Sequence, residues 1–507
     1  MLQSIFPCAK ARRLRGYQTV CEEIYKPFET REETPHLQES TAIERLQKRQ
    51  LVGIIGAIAV LVIMFFIPEY GKLTLAGIRT IGVVVAFLSL LITEALPLTV
   101  TCFIMLGIMP LVGAVGSFSE ALSGFSNQVV FFILASFGIA AGFTTIPLSK
   151  RILIALLKKF GKNVKSMLFA VMLCSALISS VVSNVPTCAI FMAIGLSFLE
   201  LYENDDDRKR AGRAFMIGIP ISSMIGGMMT PAGSSINLLA IGLLEQFTDQ
   251  TITFVQWMAV GIPLTLVALP VAWFLIVKVY KPSEISPKIV RTFIDTLDIP
   301  PKVGTDEKKV LAITFIMLIL WILSSWYRQI NVMIVALLGC CALFLPGIRV
   351  LKWETFIRET NLDSFFLVGA VLSMGGAMVK NGVSDWIITL LPSVYMPLPI
   401  LIGFSVLLIF IMLVIIPVAP SLVTLMASPL IALASGMGHS PAMIILALGL
   451  CAGNCYLLPL DTVPLLTYAT GYYSMTDMPK SAAPLQLFIV ILMALWIPLA
   501  CTLMGMV

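Results

Sequence analysis

Residues 166–199 read SMLFAVMLCSALISSVVSNVPTCAIFMAIGLSFL, a run without a single Asp, Glu, Lys or Arg. Basic clusters flank it: Lys150, Arg151, Lys158, Lys159, Lys162 and Lys165 before, and Arg208, Lys209, Arg210 and Arg213 after. Basic loops favour the cytoplasmic side of a membrane, so both ends of the run belong there. As one helix it would extend about 50 Å, against about 30 Å of hydrocarbon, too long for one crossing and short for two with a turn. A re-entrant hairpin that enters from the cytoplasm and turns at Ser183-Asn184-Val185-Pro186-Thr187 fits best. Two tightly joined spans are the alternative.

The rest of the chain has the same character. Of its 507 residues 58% are hydrophobic and 12% charged, with mean hydropathy +0.96, whereas soluble domains carry roughly 25% charged residues. That composition excludes a string of soluble domains, and repeated apolar stretches of about 17 to 25 residues predict an all-α polytopic membrane protein. Residues 1–50 are polar and lack a signal-peptide core, so the first span, from Leu51 to Ile67, reads as an uncleaved anchor with a cytoplasmic tail before it. The net charge of +6 comes from short basic loops and reads as a topology signal, with no nucleic-acid partner. Cys102, Cys174, Cys188, Cys340, Cys341, Cys451, Cys455 and Cys501 lie in apolar segments and behave as small hydrophobes. His36 and His439 are the only histidines, which leaves histidine-based metal or nucleophilic chemistry within a span nothing to work with.

The pattern recurs after the polar linker 281–309. Ser117-Phe118-Ser119-Glu120 followed by Phe131-Phe132-Ile133-Leu134 is echoed by Lys352-Trp353-Glu354-Thr355 and Phe365-Phe366-Leu367-Val368. A second charge-free run lies between Asp385 and Asp461. Each half closes on a span interrupted by glycine or proline: Thr230-Pro231-Ala232-Gly233-Ser234-Ser235-Ile236-Asn237, then Leu458-Pro459-Leu460-Asp461-Thr462-Val463-Pro464-Leu465. Residues 148–165 hold six bases, whereas 381–397 hold none and include Asp385, as expected if the copies are inverted. Inverted repeats with paired broken helices are the architecture of secondary transporters, with the site where the breaks meet. The expected division is a tail 1–50, a first scaffold part 51–165, a first transport part 166–280, the linker, a second scaffold part 310–396 and a second transport part 397–507. About 11 transmembrane helices and two re-entrant hairpins result.

A break at Pro231–Ile236 frees backbone groups, which lipid tolerates only where they face protein, water or an ion. Gly233 permits unusual torsions, Ser234 and Ser235 add oxygens, and Asn237 offers both donor and acceptor. Carbonyls and hydroxyls suit Na⁺, and half-helix N-termini suit a carboxylate or sulfate. A proline kink with capping serines is the alternative for one break alone. At the first hairpin tip Ser183, Asn184 and Thr187 can serve cation and anion alike. The second tip, Val418-Ala419-Pro420-Ser421, keeps one hydroxyl, so the two candidate sites are unequal.

Several motifs in order resemble the divalent anion:sodium symporter family, carriers of di- and tricarboxylates or sulfate. They are Thr93-Glu94-Ala95-Leu96-Pro97-Leu98, Ala121-Leu122-Ser123-Gly124-Phe125-Ser126-Asn127, Ser183-Asn184, the run from Gly226 into Gly233 and Asn237, and Gly471-Tyr472-Tyr473-Ser474-Met475-Thr476-Asp477-Met478. The resemblance implies a homodimer working by an elevator mechanism. It implies Ser-Asn-Thr at each hairpin tip, which binds Na⁺ and substrate, and Gly-Thr-Pro-Pro-Asn in each broken helix. Here Val185 replaces the first tip's threonine. In the second break Asp461, Val463 and Leu465 replace glycine, a proline and asparagine, while Thr462 and Pro464 remain.

The expected function is secondary transport of a small dianion, a dicarboxylate first, in a plasma or inner membrane. Its substrate would meet Ser183, Asn184, Thr187, Ser234, Asn237, Ser421, Thr462 and Pro464. A cation, Na⁺ by expectation, would sit at Ser183, Asn184 and Gly233, and no other cofactor is called for. Asp461 is a candidate for the second cation's role, binding a proton or a cation; capping of the resumed half-helix, or facing a water-filled vestibule, is its bland alternative. Cation-independent anion exchange, H⁺ coupling and an anion channel are rival readings. An enzyme is disfavoured because no paired acid or nucleophile arrangement lies within the spans.

Overall fold

The computed structural model describes residues 36–69, 73–296, 302–327, 329–390, 396–416 and 418–506. Most of the expected tail and Pro417 at the second hairpin tip lie outside the described residues. Two compact units are distinguished, Met1–Leu51 and Val52–Val507. In the first, residues 36–51 are helical and belong to α1 (His36–Ile63).

The second unit is all helix, with no strand among the described residues, and its element order repeats. The first copy holds α2 (Leu75–Thr93), α3 (Leu98–Leu111), α4 (Gln128–Thr144) and α5 (Leu148–Phe160). It continues with α6 (Val164–Val182), α7 (Asn184–Leu199), α8 (Asp205–Gly227), α9 (Ser235–Phe247) and α10 (Phe254–Tyr280). After α11 (Pro287–Thr296) the second copy follows: α12 (Thr305–Leu323), α13 (Val332–Ala342), α14 (Leu362–Lys380) and α15 (Val383–Leu390). It ends with α16 (Leu398–Ile415), α17 (Ala419–Gly436), α18 (Pro441–Ala452), α19 (Thr462–Tyr468) and α20 (Met478–Leu503). The sequence places the helix starts through capping: Asn163 and Ser166 form a capping box on α6, and Thr253 and Gln256 form one on α10.

Among the described residues eight helices are long and apolar enough to cross a bilayer, or nine if the pair α4 and α5, bent by 62°, is one span. Three of those eight, α6, α16 and α17, are hairpin arms, so length alone does not count the crossings.

Both hairpins close on themselves. Val164 N donates to Glu284 Oε2 (2.9 Å) and Tyr202 Oη donates to Ser283 O (2.6 Å), so the start of α6 and the end of α7 are clipped to one short segment. His439 Nε2 lies 2.9 Å from Met396 O and joins the two ends of the second hairpin in the same way. The first tip meets the break between α8 and α9, beyond which α9 continues for 13 residues, about 20 Å of helix. The second tip meets its own break, with Cys455 Sγ 3.8 Å from Leu413 O.

The interrupted helices run antiparallel. Gln250 Oε1 accepts from Ser440 Oγ and Ala442 N, placing the end of α9 at the start of α18. At the other end, a Cβ built on Gly453 would lie 3.8 Å from Ser234 Oγ. Likewise the ring of Tyr472, just beyond α19, covers Gly212 near the start of α8. Thus α9 packs on α17 and α18 of the second copy, and α19 packs on α7 and α8 of the first. The two copies interlock elsewhere through Glu120 with Lys380, Thr99 with Asp363, and Arg151 with Glu307 (3.1 Å).

Candidate substrate and cation site

The first break opens earlier than its prolines suggest. Helix α8 stops at Gly227, a single 3₁₀ turn covers Pro231–Gly233, and α9 resumes at Ser235. Such an end leaves carbonyls without intrahelical partners, and the structure accounts for them one by one. Thr265 Oγ1 donates to Ile225 O (3.0 Å), Trp257 Nε1 to Met228 O (3.0 Å), and Asn237 Nδ2 to Gly227 O (2.8 Å) and Thr230 O (2.9 Å). Gly233 N donates to Thr230 Oγ1 (3.1 Å), and Thr230 Oγ1 in turn donates to Ser180 O (2.6 Å), which ties the break to α6. Ser234 Oγ caps α9 by accepting from Ile236 N (3.3 Å).

The hairpin tip is one residue, Ser183, with φ 83° and ψ 158°. Only glycine enters that region without strain, so a serine here is held by its surroundings. Next to it Asn184 is buried: its Oδ1 accepts from Ser179 Oγ (2.7 Å) and its carbonyl from Ser223 Oγ (2.7 Å). Gly227 makes room for it, since a Cβ there would stand 2.3 Å from Asn184 Oδ1. Thr187 Oγ1 donates to Ser183 O (2.7 Å), which turns its hydrogen back into the tip.

The second break spans Gly453–Asp461, opening five residues before Leu458, where the sequence reading put it. Asp461 is the N-cap of α19, its carboxylate accepting from Val463 N (3.4 Å), the position Ser234 takes in the first break. Thr462 is exposed and Pro464 buried. Two groups fix this short helix: Tyr473 Oη donates to Pro464 O (2.9 Å), and Cys188 Sγ donates to Val463 O (3.6 Å). Through Cys188 the start of α19 reaches α7 one turn past Asn184. Ser421 lies in the first turn of α17, fully buried, and its Oγ has no hydrogen-bond partner among the described residues.

Ser183, Asn184, Thr187, Gly233, Ser234 and Asn237 are therefore brought together, and the start of α19 from the other copy reaches α7 beside them through Val463 O and Cys188. No hydrogen bond links Ser421 to that group among the described residues. Ser179, Ser223, Thr230, Trp257 and Tyr473 also shape the site. Single serines in the middle of helices carry no signal that separates them from ordinary packing residues, whereas the Gly226-Gly227 pair beside a Pro-Gly break does mark a close approach.

Two interrupted helices of opposite direction, converging on a polar centre inside an apolar helical unit, define a membrane transporter. The model of the sodium:sulfate symporter transmembrane region matches residues 48–507, and the chain belongs to that family. This bears out the resemblance read from the motifs, and the family is one of transporters, not enzymes. Among similar proteins, the sodium-dependent dicarboxylate transporter SdcS of Staphylococcus aureus is 23% identical over 460 residues, covering 85% of this chain and 87% of its own. A membrane protein of Cupriavidus necator is 23% identical over 352 residues, 66% of this chain and 68% of that one. In fold, the chain is similar to the YdaH transporter of Alcanivorax borkumensis, with TM-score 0.54, 16% identity and coverage of 75% and 88% of the two chains. It is also similar to MtrF of Neisseria gonorrhoeae, with TM-score 0.57, 15% identity and coverage of 89% and 94%.

Proposed function

We propose that the protein is a secondary active transporter of small divalent anions, dicarboxylates first, coupled to Na⁺ at the first break. The observation that carries this reading is the meeting of the Ser183-Asn184 tip, the Gly233 turn and the N-terminus of α19 across the two copies. Backbone carbonyls and the Asn184 amide oxygen suit a monovalent cation, while the N-terminal ends of α9 and α19 suit the two charges of a dianion. The SdcS relative, a sodium-dependent dicarboxylate transporter by name, supports the same substrate class.

In this reading Ser183, Asn184 and Gly233 hold Na⁺, Ser183, Asn184, Ser234, Ser421, Thr462 and Pro464 contact the anion, and Thr187 and Asn237, whose hydrogens are committed to backbone carbonyls, brace the tip and the break around it. Asp461 caps α19 and also brings a negative charge, which a cation or a proton would have to offset beside a dianion. Eleven crossings follow if α1–α4, α10, α12–α14 and α20 each span and each interrupted pair, α8 with α9 and α18 with α19, makes one more. The hairpins α6–α7 and α16–α17 are then re-entrant. The parts 166–280 and 397–507 move as an elevator against 51–165 and 310–396 in a homodimer, with the N-terminus cytoplasmic and the chain embedded in a plasma or inner membrane.

Purified protein in liposomes, given labelled succinate, citrate and sulfate with and without Na⁺, a pH gradient or internal anion, tests the reading. Na⁺-driven accumulation and counterflow are expected. Equilibration without counterflow would identify a channel, and counterflow indifferent to Na⁺ and pH an exchanger.

A further inference from the structure

We propose that the cavity bordered by the start of α2 and the ends of α3 and α14 binds the phosphate headgroup of an anionic phospholipid, with Arg79 and Lys380 as its charged partners. The cavity measures about 370 Å³, and none of its lining residues belongs to a hairpin or a break. Asn381 fixes its frame: Nδ2 donates to Thr80 Oγ1 (2.7 Å) and to Ala114 O (2.8 Å), which holds the end of α14 against α2 and the loop after α3. That loop turns at Gly113, with φ 72°, and a Cβ there would stand 2.6 Å from Arg79 Nη1. A bare glycine in the cavity wall is therefore what seats the guanidinium.

Charge selects an anion. Arg79 is half-buried at the second turn of α2, with its Cζ 5.3 Å from the centre of the Phe65 ring, and among the described residues it has no hydrogen bond or ion pair. A guanidinium stays charged and offers five donors in a fork that matches a phosphate. Glu120 does not neutralise it, because Lys380 Nζ and Gly116 N (2.9 Å) both donate to that carboxylate and hold it below its usual range. Glu69, the carboxylate before α2, accepts from Leu75 N (3.3 Å) and forms no ion pair with Arg79 among the described residues. Arg79 and Lys380 against Glu120 thus leave one positive charge at the cavity. The neighbours select a lipid: Leu111, next to the lining residue Pro110, is 84% exposed, and Phe65 and Leu75 beside Arg79 are exposed as well. In a membrane-embedded chain such apolar side chains at helix ends meet acyl chains, while the guanidinium stands at headgroup level. A net negative headgroup, as in phosphatidylglycerol, fits better than a zwitterionic one. The inference needs only a chain embedded in a membrane and does not rest on the transport reading.

The test is the melting temperature of the purified full-length protein in detergent, titrated with phosphatidylglycerol, with phosphatidylcholine, or with inorganic phosphate. Phosphatidylglycerol should stabilise saturably and the other two should not. Arg79→Gln should raise the half-saturating concentration of phosphatidylglycerol at least fivefold, about the effect of one basic residue at a lipid surface. Arg79→Lys, which keeps the charge without the fork, should fall between. Ala76→Leu narrows the cavity without touching a charge, should weaken the response as well, and carries the test if Arg79→Gln does not fold. Lys158→Gln, in a basic segment away from the cavity, should leave the response as in the wild type. The proposal is overturned if phosphatidylcholine stabilises as well as phosphatidylglycerol, or if inorganic phosphate reproduces the shift, which would make the ligand a free anion. It is equally overturned if Arg79→Gln and Ala76→Leu leave the response unchanged, or if Lys158→Gln weakens it as much as they do, the mark of diffuse attraction to basic loops.

Discussion

Replacing Asn237 by leucine separates two roles that the sequence leaves merged. Both of its amide hydrogens are committed, to Gly227 O at 2.8 Å and Thr230 O at 2.9 Å. Gly227 O would lose its side-chain donor in a buried place, a cost of about 1–3 kcal/mol. Thr230 O keeps Gly233 N at 3.2 Å, so its loss is nearer the net value of one bond, about 1 kcal/mol. Asn237→Leu should therefore destabilise by about 2–4 kcal/mol and lower the melting temperature of the detergent-purified protein by several degrees. Asn237→Asp, which keeps the shape but turns a carboxylate toward two carbonyls, should cost at least as much. Binding of Na⁺ and dianion should weaken in both variants because the break itself loosens. The reasoning is refuted if Asn237→Leu abolishes dianion binding while its melting temperature equals that of the wild type, since Asn237 would then be a ligand and not a strut.

Three other outcomes follow from the same geometry. Ser183→Gly relieves a glycine-only backbone conformation and should raise stability by about 1 kcal/mol, while Ser183→Ala should not; chemical-denaturant or thermal melts compare them, and both should weaken Na⁺ dependence of uptake. Gly227→Ala sets a methyl against Asn184 Oδ1 and should abolish dianion uptake in proteoliposomes, whereas Gly436→Ala, with nothing within 4 Å, should transport normally. Asp477, between α19 and α20, is raised by its burial but more strongly lowered by Lys480 and Ser474, so that its carboxyl is held down to about 2. A depressed acid stabilises the fold at neutral pH and loses that contribution as pH falls from the ordinary carboxylate range toward 2. The melting-temperature gap between wild type and Asp477→Asn should narrow over that interval.

The repeat, the hairpins and the place where the copies meet were legible because apolar runs, basic clusters and Pro-Gly interruptions obey constraints that act along the chain. The limits of the breaks were not. The sequence places the first at Pro231–Ile236, yet α8 already ends at Gly227, because Asn184 and the backbone of Ala176 approach the two glycines there. The sequence places the second from Leu458, yet it opens at Gly453, within an apolar run whose next proline is Pro459. Spacing alone presents Asn237 and Thr187 as groups that could meet a ligand, but their hydrogens turn inward to backbone carbonyls. Which way a polar side chain faces depends on partners distant in sequence, such as Trp257 reaching Met228, and spacing does not encode them.

The most direct measurement is equilibrium binding of labelled succinate to the purified protein, titrated with Na⁺, in the wild type and in Asn184→Ala. Converging breaks that form one dianion pocket predict saturable binding strengthened by Na⁺ in the wild type and lost in Asn184→Ala, whose stability should fall by no more than about 1–3 kcal/mol, the cost of the lost Ser179 bond. Undiminished binding in Asn184→Ala would place the dianion elsewhere and contradict the account.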